Sequence, residues 1–430
     1  MRIADPLTLP CGQTLKNRLA KAAMTEGLAD TLNRATVGHQ HLYRRWAEGG
    51  SGMLLTGNVQ VDRRHLERPG NVVIEGSQSP EKLAALKAWS AAGTVDGTQL
   101  WMQISHAGRQ TPAIVNPSPS APSDIPLKLP GKNFGRPRAM TEPEILDVVQ
   151  RFAHAARIAR ETGFTGVQVH AAHGYLVSEF LSPLANQRSD DWGGSLENRS
   201  RLLREIVRAV RAAVGADFPV SVKLNSADFQ KGGFSHEDCL AVVGMLDAER
   251  IDLLEISGGN YEQPKMGGLG GVLEAEEPQH VASSTVAREA YFLDYAASVA
   301  TVAKMPLMVT GGFRSRQGME DALGSGAAQV IGLGRPLCVL AEGPQQLLDG
   351  KIDALPSYEK TLRLGPGWLS LQSPLALVKM INAWGAQGWF CLQLLRMGAG
   401  SDPDLNMGVF SAFRAYASNE QKAAKALFRG

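Results

Sequence analysis

The sequence predicts an α/β protein built on a (β/α)8 TIM barrel, with an N-terminal hairpin and a helical C-terminal extension. Eight short apolar runs recur before residue 350, and runs of that length between turn residues are typical of buried strands. Amphipathic stretches separate most of these runs, which is the kind of connection that parallel strands require. The alternation ends near residue 350, and the pattern beyond it is helical. We therefore predict a barrel over residues 1–350 and a helical extension over residues 351–430.

The first element along the chain is a small hairpin over Pro6–Lys16, which we expect to close the bottom of the barrel. The eight predicted strands follow at Arg18–Met24, Gly52–Val59, Thr98–Ser105, Gly166–His170, Val220–Leu224, Asp252–Ser257, Pro306–Thr310 and Gln329–Leu333. The helix before the fifth strand is the clearest one, because Leu203, Ile206 and Val210 recur at helical spacing. Long irregular loops at 111–138 and 258–284 follow the third and sixth strands, at the end where barrels build their active sites.

The composition narrows the class of partner. Lys and Arg number 44 against 42 for Asp and Glu, so the charge balance favours neither nucleic acid nor an anionic membrane. No apolar run is long enough for a membrane helix, and the N-terminal residues lack a signal-peptide pattern. The four cysteines are far apart in sequence, which favours a reducing, cytoplasmic compartment without disulfides or a cysteine-ligated cluster. We expect a small-molecule substrate.

Glycines cluster after the last two predicted strands. Gly311 and Gly312 follow the seventh strand, and Gly334 stands beside Arg335 after the eighth. In barrels these two loops often form a phosphate site, where glycine admits the phosphate to the backbone and arginine adds a charge-assisted fork. We predict phosphate binding here; two ordinary strand-to-helix turns are the alternative.

The end of the fourth strand carries the most informative polar residues. The two-residue period of a strand turns Gln168 and His170 toward the barrel axis. His173 and Tyr175 follow in the turn and can converge on the same pocket. Two imidazoles and a phenol suit hydrogen bonding to a carbonyl oxygen together with proton delivery.

Other polar side chains near this end leave alternatives open. A metal site formed by His106, His170 and His173 is one alternative, although no carboxylate stands at a recognised ligand spacing beside them. Gln103 and Lys223 are predicted to lie near the barrel axis. A buried lysine is costly without a negative partner, which could be an anionic cofactor edge or an Asp or Glu side chain.

Several longer segments together resemble the old yellow enzyme family of NADH:flavin oxidoreductases. They are Lys16–Thr25, Tyr43–Gly50, Gln103–Arg109, His170–Pro183 and Asn186–Arg199. The similarity extends over about residues 3 to 345, and the block from His170 to Arg199 is its most specific part.

The resemblance implies one non-covalently bound FMN and NAD(P)H as the reductant. It places Ala23, Met24, Thr25 and Gly57 along one side of the flavin. It also places Gln103 at the pyrimidine edge and Lys223 near the N1/C2 carbonyl. The phosphate residues that it implies are Gly312, Gly334 and Arg335, and Gly311 adjoins them. His170 and His173 then bind a substrate carbonyl oxygen, with His170 also counted among the cofactor contacts, and Tyr175 donates a proton.

The function implied is that of an ene-reductase, which reduces the activated C=C bond of an electron-poor alkene. The cysteine run of the iron–sulfur branch is absent after Arg335, so we expect the branch without a cluster. Members of the family often associate, which is compatible with a homodimer. Three other functions stay open from the sequence: a metal-dependent barrel hydrolase, a non-catalytic flavoprotein, and a flavin dehydrogenase acting on a saturated ketone or an amine.

Overall fold

Eight parallel strands close into a barrel in the computed structural model, which describes residues 1–129, 133–258 and 293–427. The barrel strands are β1 Leu19–Lys21, β2 Met53–Leu55, β3 Gln99–Ser105, β4 Gly166–Ala171, β5 Val220–Asn225, β6 Leu253–Ser257, β7 Leu307–Thr310 and β8 Val330–Leu333. Each strand pairs in parallel with the next one along the chain, and β8 pairs with β1 to complete the ring. The predicted barrel and its eight strands are confirmed, although β1 and β2 are shorter than predicted.

Helices surround this barrel and continue beyond it. They are α1 Val37–Glu48, α2 Pro80–Gly93, α3 Glu142–Glu161, α4 Leu176–Leu181, α5 Leu196–Val214, α6 His236–Ala248, α7 Leu293–Ala300, α8 Arg316–Gly324, α9 Gly343–Leu348, α10 Ala376–Gly398 and α11 Val409–Leu427. The apolar face predicted for α5 is fully buried, with Leu203, Ile206 and Val210 all at 0% exposure. Ser195 caps this helix by accepting from the Asn198 N–H. Within the described ranges, no helix is both long and apolar enough to cross a membrane.

The lower part of the barrel interior is apolar. Two short antiparallel strands, Leu7–Thr8 and Thr14–Leu15, form the predicted N-terminal hairpin. Its Leu15 packs with Met53, Trp101 and Leu253, which point inward from three barrel strands. Because apolar side chains fill this end, polar groups of the interior are left to the carboxyl ends of the strands.

The two long loops differ in how far they can be described. The first contains two short paired strands, Ser120–Ala121 and Arg138–Ala139, so it is partly regular. The second, predicted at 258–284, lies outside the described residues after position 258.

The residues after 350 form two long helices that pack against the barrel. Helices α10 and α11 pack on each other, and α10 also packs on α1. Trp389 and Phe390 of α10 are buried in the main core. The division of the chain at residue 350 stays a prediction.

The last helix reaches the loop that follows β1. Arg68 is buried and forms an ion pair with Glu420 of α11 at 2.5 Å. The same guanidinium lies over the Tyr416 ring at 5.3 Å. It also donates a hydrogen bond to the backbone oxygen of Thr25 at 3.2 Å. The extension therefore supports the loop that carries Met24 and Thr25.

We expect Glu420→Gln to destabilise the fold more than loss of an exposed contact on the same extension. Removing the carboxylate leaves the buried Arg68 guanidinium without its ion-pair partner, a change that costs about 3 kcal/mol in comparable cases. Asp402→Asn is the matched control, because Asp402 pairs with Arg45 at 2.9 Å and its side chain is 87% exposed. That pair contributes less than about 1 kcal/mol. Urea unfolding measures both losses, and equal losses would contradict a supporting role for Arg68.

Candidate active site

A layer of hydrogen-bonded side chains crosses the barrel interior above the apolar bottom. Gln103 Nε2 donates to Gln168 Oε1 at 2.7 Å, and Gln168 Nε2 donates to Glu255 Oε2 at 2.9 Å. Glu255 Oε1 lies 3.0 Å from Lys223 Nζ and accepts the Thr310 hydroxyl at 2.7 Å. All but Thr310 are buried. The layer joins five consecutive strands, β3 to β7, because each of them contributes one polar side chain to it.

The negative partner of Lys223 is a glutamate side chain, which is one of the two kinds of partner that the sequence left open. Lys223 and Glu255 are direct register partners on β5 and β6, and their side chains are 5% and 0% exposed. Neither Glu255 nor a role for Gln168 was predicted from the sequence. An acidic residue at the centre of a buried strand was the available signal, since the two-residue period turns it toward the barrel axis.

The predicted catalytic residues converge beside this layer, at the carboxyl end of β4. The ring centroids of His170 and His173 are 5.1 Å apart, and those of His170 and Tyr175 are 4.9 Å apart. All three side chains are buried. His170 and Lys223 are register partners on β4 and β5, so the imidazole stands beside the ammonium.

Backbone and side-chain contacts fix the turn that follows β4. His173 has a φ of 63°, a left-handed conformation that is uncommon for a residue with a Cβ. Its backbone N–H donates to Asn225 Oδ1 at 3.1 Å, and its carbonyl oxygen accepts from Gln110 Nε2 at 2.9 Å. Its Nε2 lies 2.7 Å from Ser257 Oγ. These contacts hold the turn in a conformation that directs Tyr175 toward His170.

Both active-site imidazoles are held neutral. Burial lowers the pKa of His170 and of His173 well below the usual value, and the positive charge of Lys223 lowers both further. His170 Nδ1 accepts the Ala172 N–H at 3.2 Å, so the proton of the neutral ring lies on Nε2. Nε2 of His170 is therefore a hydrogen-bond donor near neutral pH.

The segment Ala23–Thr25 forms a half-buried rim beside the polar layer. The Thr25 hydroxyl donates to Glu67, at 2.7 Å from Oε2, and burial raises the pKa of that carboxyl. Gly57 packs so closely here that a Cβ would lie 2.5 Å from Glu26 Oε2 and 2.6 Å from the Met24 oxygen. The sequence analysis named neither carboxylate, because their partners are set by the loop after β2.

The two glycine loops predicted to bind phosphate are brought together. Strands β7 and β8 pair in parallel with Thr310 opposite Gly332, so the loops that follow them are neighbours. Gly311 and Gly312 have φ values of 141° and 82°, where residues with a Cβ are strained. Gly334 and Arg335 begin the loop after β8, and all four residues are partly exposed.

The structure separates His106 from the other two histidines of the metal hypothesis. His106 stacks on His65 with ring centroids 4.2 Å apart, and Asp62 lies beside them. His106 Nδ1 accepts the Gly108 N–H, and His65 Nε2 accepts the Ser120 N–H. In each ring one nitrogen already accepts a backbone N–H, so this cluster is explained by hydrogen bonding.

Comparison with known proteins identifies the family. Residues 3–351 match the NADH:flavin oxidoreductase / NADH oxidase family. The chain belongs to this family. It is 41% identical over 356 residues to the NADH-dependent flavin oxidoreductase iliE of Neonectria sp. (strain DH2), a match that covers 79% of this chain and 46% of that protein. It is 36% identical over 410 residues to the NADH-dependent flavin oxidoreductase iccE of Talaromyces variabilis, covering 89% and 96% of the two chains.

A solved structure agrees with this assignment. The old yellow enzyme homologue from Zymomonas mobilis is 25% identical and has a TM-score of 0.68, with 87% of this chain and 100% of that one covered. This protein is therefore an old yellow enzyme-like oxidoreductase, with FMN as its cofactor and NAD(P)H as its reductant. The expected family, fold and cofactor are confirmed.

The donor set at the strand ends fits FMN. The pyrimidine edge of a flavin presents carbonyl oxygens and an N–H, and it gains negative charge on reduction. The oxidoreductase offers the Gln103 amide on β3 and the Lys223 ammonium on β5. An amide provides both a donor and an acceptor, and an ammonium suits an edge that becomes anionic.

We expect the neutral histidines to make the folded oxidoreductase less stable in acid. The pKa of His173 lies below its usual value of 6.5 in the folded chain. Its contribution is therefore fully present above about pH 6.5 and is lost as the pH falls toward the folded pKa. The loss approaches about 1.4 kcal/mol per pH unit in that window.

Urea unfolding at about pH 7 and about pH 5.5 tests this expectation. His173→Asn is the informative variant, because asparagine keeps an N–H donor and does not titrate. Its loss of unfolding free energy between the two pH values should be smaller than that of the wild type. The same loss in both proteins would mean that folding does not lower the pKa of His173.

Proposed function

We propose that this oxidoreductase is an ene-reductase acting on α,β-unsaturated carbonyl compounds or related electron-poor alkenes. The observation that carries the proposal is the convergence of His170, His173 and Tyr175 beside the polar layer. Bound FMN would supply the redox chemistry, which is hydride transfer from NAD(P)H to the β-carbon of the alkene. The protein residues bind the substrate, direct its carbonyl oxygen and supply the proton.

The two histidines bind the substrate through its carbonyl oxygen. His170 offers Nε2–H, and His173 lies 5.1 Å from it between ring centroids. As hydride reaches the β-carbon, negative charge develops on the carbonyl oxygen, and fixed donors in a buried site stabilise that charge strongly. Neutral donors suit this role, because the oxygen must be released after protonation of the carbon.

Tyr175 donates the proton to the α-carbon. Its ring is 4% exposed and packs edge-on against His170, so the phenol stands beside the oxygen-binding donors. The cofactor contacts that we propose are Ala23, Met24, Thr25, Gly57, Gln103, His170 and Lys223. For the phosphate we propose Gly311, Gly312, Gly334 and Arg335.

We expect Tyr175→Phe to slow only the half-reaction that consumes the alkene. A general acid is worth about 10²–10⁴ in rate, so reoxidation of the reduced enzyme by 2-cyclohexenone should fall by that factor. Reduction by NADH or NADPH should be nearly unchanged, since that step needs no proton from the tyrosine. Anaerobic stopped-flow absorption of the flavin follows both steps, and equal losses in the two would exclude this role.

We expect Gly312→Ala to weaken FMN binding at least about tenfold, because a side chain strains the left-handed backbone that faces the phosphate. Gly326→Ala is a matched control: its φ of 80° is close to the 82° of Gly312, and it lies in the turn after α8 with nothing within 4 Å of an added Cβ. Both variants lose similar stability, and only the first should lose affinity. Titration of apoprotein with FMN gives the dissociation constants, and equal affinities would remove Gly312 from the phosphate site.

The wild-type protein itself provides the test of the proposed function. Its visible spectrum should be that of a flavin, bleach with NADH or NADPH under anaerobic conditions, and return when 2-cyclohexenone is added. A protein that bleaches but is not reoxidised by the enone would overturn the proposed substrate class and leave the family intact.

A further inference from the structure

The Glu255 carboxylate accepts hydrogen bonds from three side chains in the barrel interior. Its side chain is 0% exposed. One carboxylate oxygen receives Lys223 at 3.0 Å and the Thr310 hydroxyl at 2.7 Å. The other receives the Gln168 amide at 2.9 Å. Such a group accepts hydrogen bonds from three strands and, as a carboxylate, donates none.

An acceptor at this position determines the direction of the whole hydrogen-bond chain. Gln168 must turn its NH₂ group toward Glu255, which leaves its oxygen facing Gln103. Gln103 must then donate its own NH₂ to that oxygen, at 2.7 Å. The Gln103 oxygen is thereby turned away from the chain, and it accepts no hydrogen bond from the described residues. One carboxylate thus fixes the orientation of two amides.

We propose that Glu255 is the positioning residue for the pyrimidine edge of FMN. Through Gln168 it makes Gln103 present its oxygen, which suits the single N–H of that edge. Glu255 also holds the Lys223 ammonium near that edge. The negative charge of Glu255 offsets part of the positive charge of the ammonium. The proposal rests on the positions proposed above for Gln103 and Lys223 beside the flavin, and it adds the group that sets their polarity.

The two effects can be separated by two substitutions. Gln168→Leu breaks the chain between Glu255 and Gln103 but keeps the Lys223–Glu255 pair. Glu255→Gln removes the negative charge as well, since a neutral amide can either donate or accept. The matched control is Asp252→Asn, because Asp252 precedes the same strand, is buried, and pairs with Arg211 at 2.6 Å. It lies at the opposite end of β6 from the catalytic residues.

Two measurements on protein loaded with FMN test the proposal: the dissociation constant for FMN and the two-electron midpoint potential. We expect Gln168→Leu to bind FMN at least tenfold more weakly with a potential close to that of the wild type. We expect Glu255→Gln to bind oxidised FMN more weakly and to shift the two-electron equilibrium at least tenfold toward reduced flavin. This shift corresponds to a potential about 30 mV higher, because removing a negative charge favours an anionic product. Asp252→Asn should lose stability and change neither quantity.

Each outcome bears on a different part of the proposal. An unchanged potential in Glu255→Gln, or the same shift in Asp252→Asn, would overturn the electrostatic part of the proposal. Unchanged FMN affinity in Gln168→Leu would overturn the orientation part, and this variant provides the test if Glu255→Gln does not fold. A wild-type protein that binds FMN but does not reduce 2-cyclohexenone would instead contradict the proposed substrate class.

Discussion

Closure of the barrel is the constraint on which the rest of the structure depends. In a closed barrel of eight parallel strands, all the carboxyl ends meet at one rim. The two-residue period then determines which side chains of each strand point into the barrel. In this chain the lowest inward positions are apolar and pack against the N-terminal hairpin. Nearer the rim lies the polar layer around Glu255, and His170, His173 and Tyr175 adjoin it at the carboxyl end of β4.

The sequence was informative wherever the relevant signal is local. Strand positions follow from apolar runs, and the inward direction of His170 and Lys223 follows from alternation within one strand. The turn residues His173 and Tyr175 were placed near His170 because only a few residues separate them. The two glycine loops were expected to meet because consecutive parallel strands are neighbours, and the pairing of β7 with β8 confirms this.

The sequence could not show contacts that depend on register or on distant segments. Lys223 is paired with Glu255 because β5 and β6 align these two positions, and a shift of the register would have paired the lysine differently. Arg68 and Glu420 are 352 positions apart, so no local pattern connects them. Strands β1 and β2 end earlier than their apolar runs. Ala22 still donates its N–H to the Leu333 oxygen of β8, and the residues from Ala23 to Thr25 then leave the ladder and become partly exposed.

The electrostatic arrangement of the site connects these parts. A lone buried lysine would be costly, and paired with Glu255 it can remain in the barrel before any cofactor binds. Burial lowers the pKa of His170, and the Lys223 ammonium beside it lowers that pKa further, so the imidazole is neutral. A neutral imidazole can donate its N–H to a developing oxyanion and release the product, whereas an imidazolium would add a charge that burial disfavours. In the proposed site, the buried carboxylate of β6 therefore acts on both the flavin edge and the substrate donors through Lys223, although it is placed to touch neither.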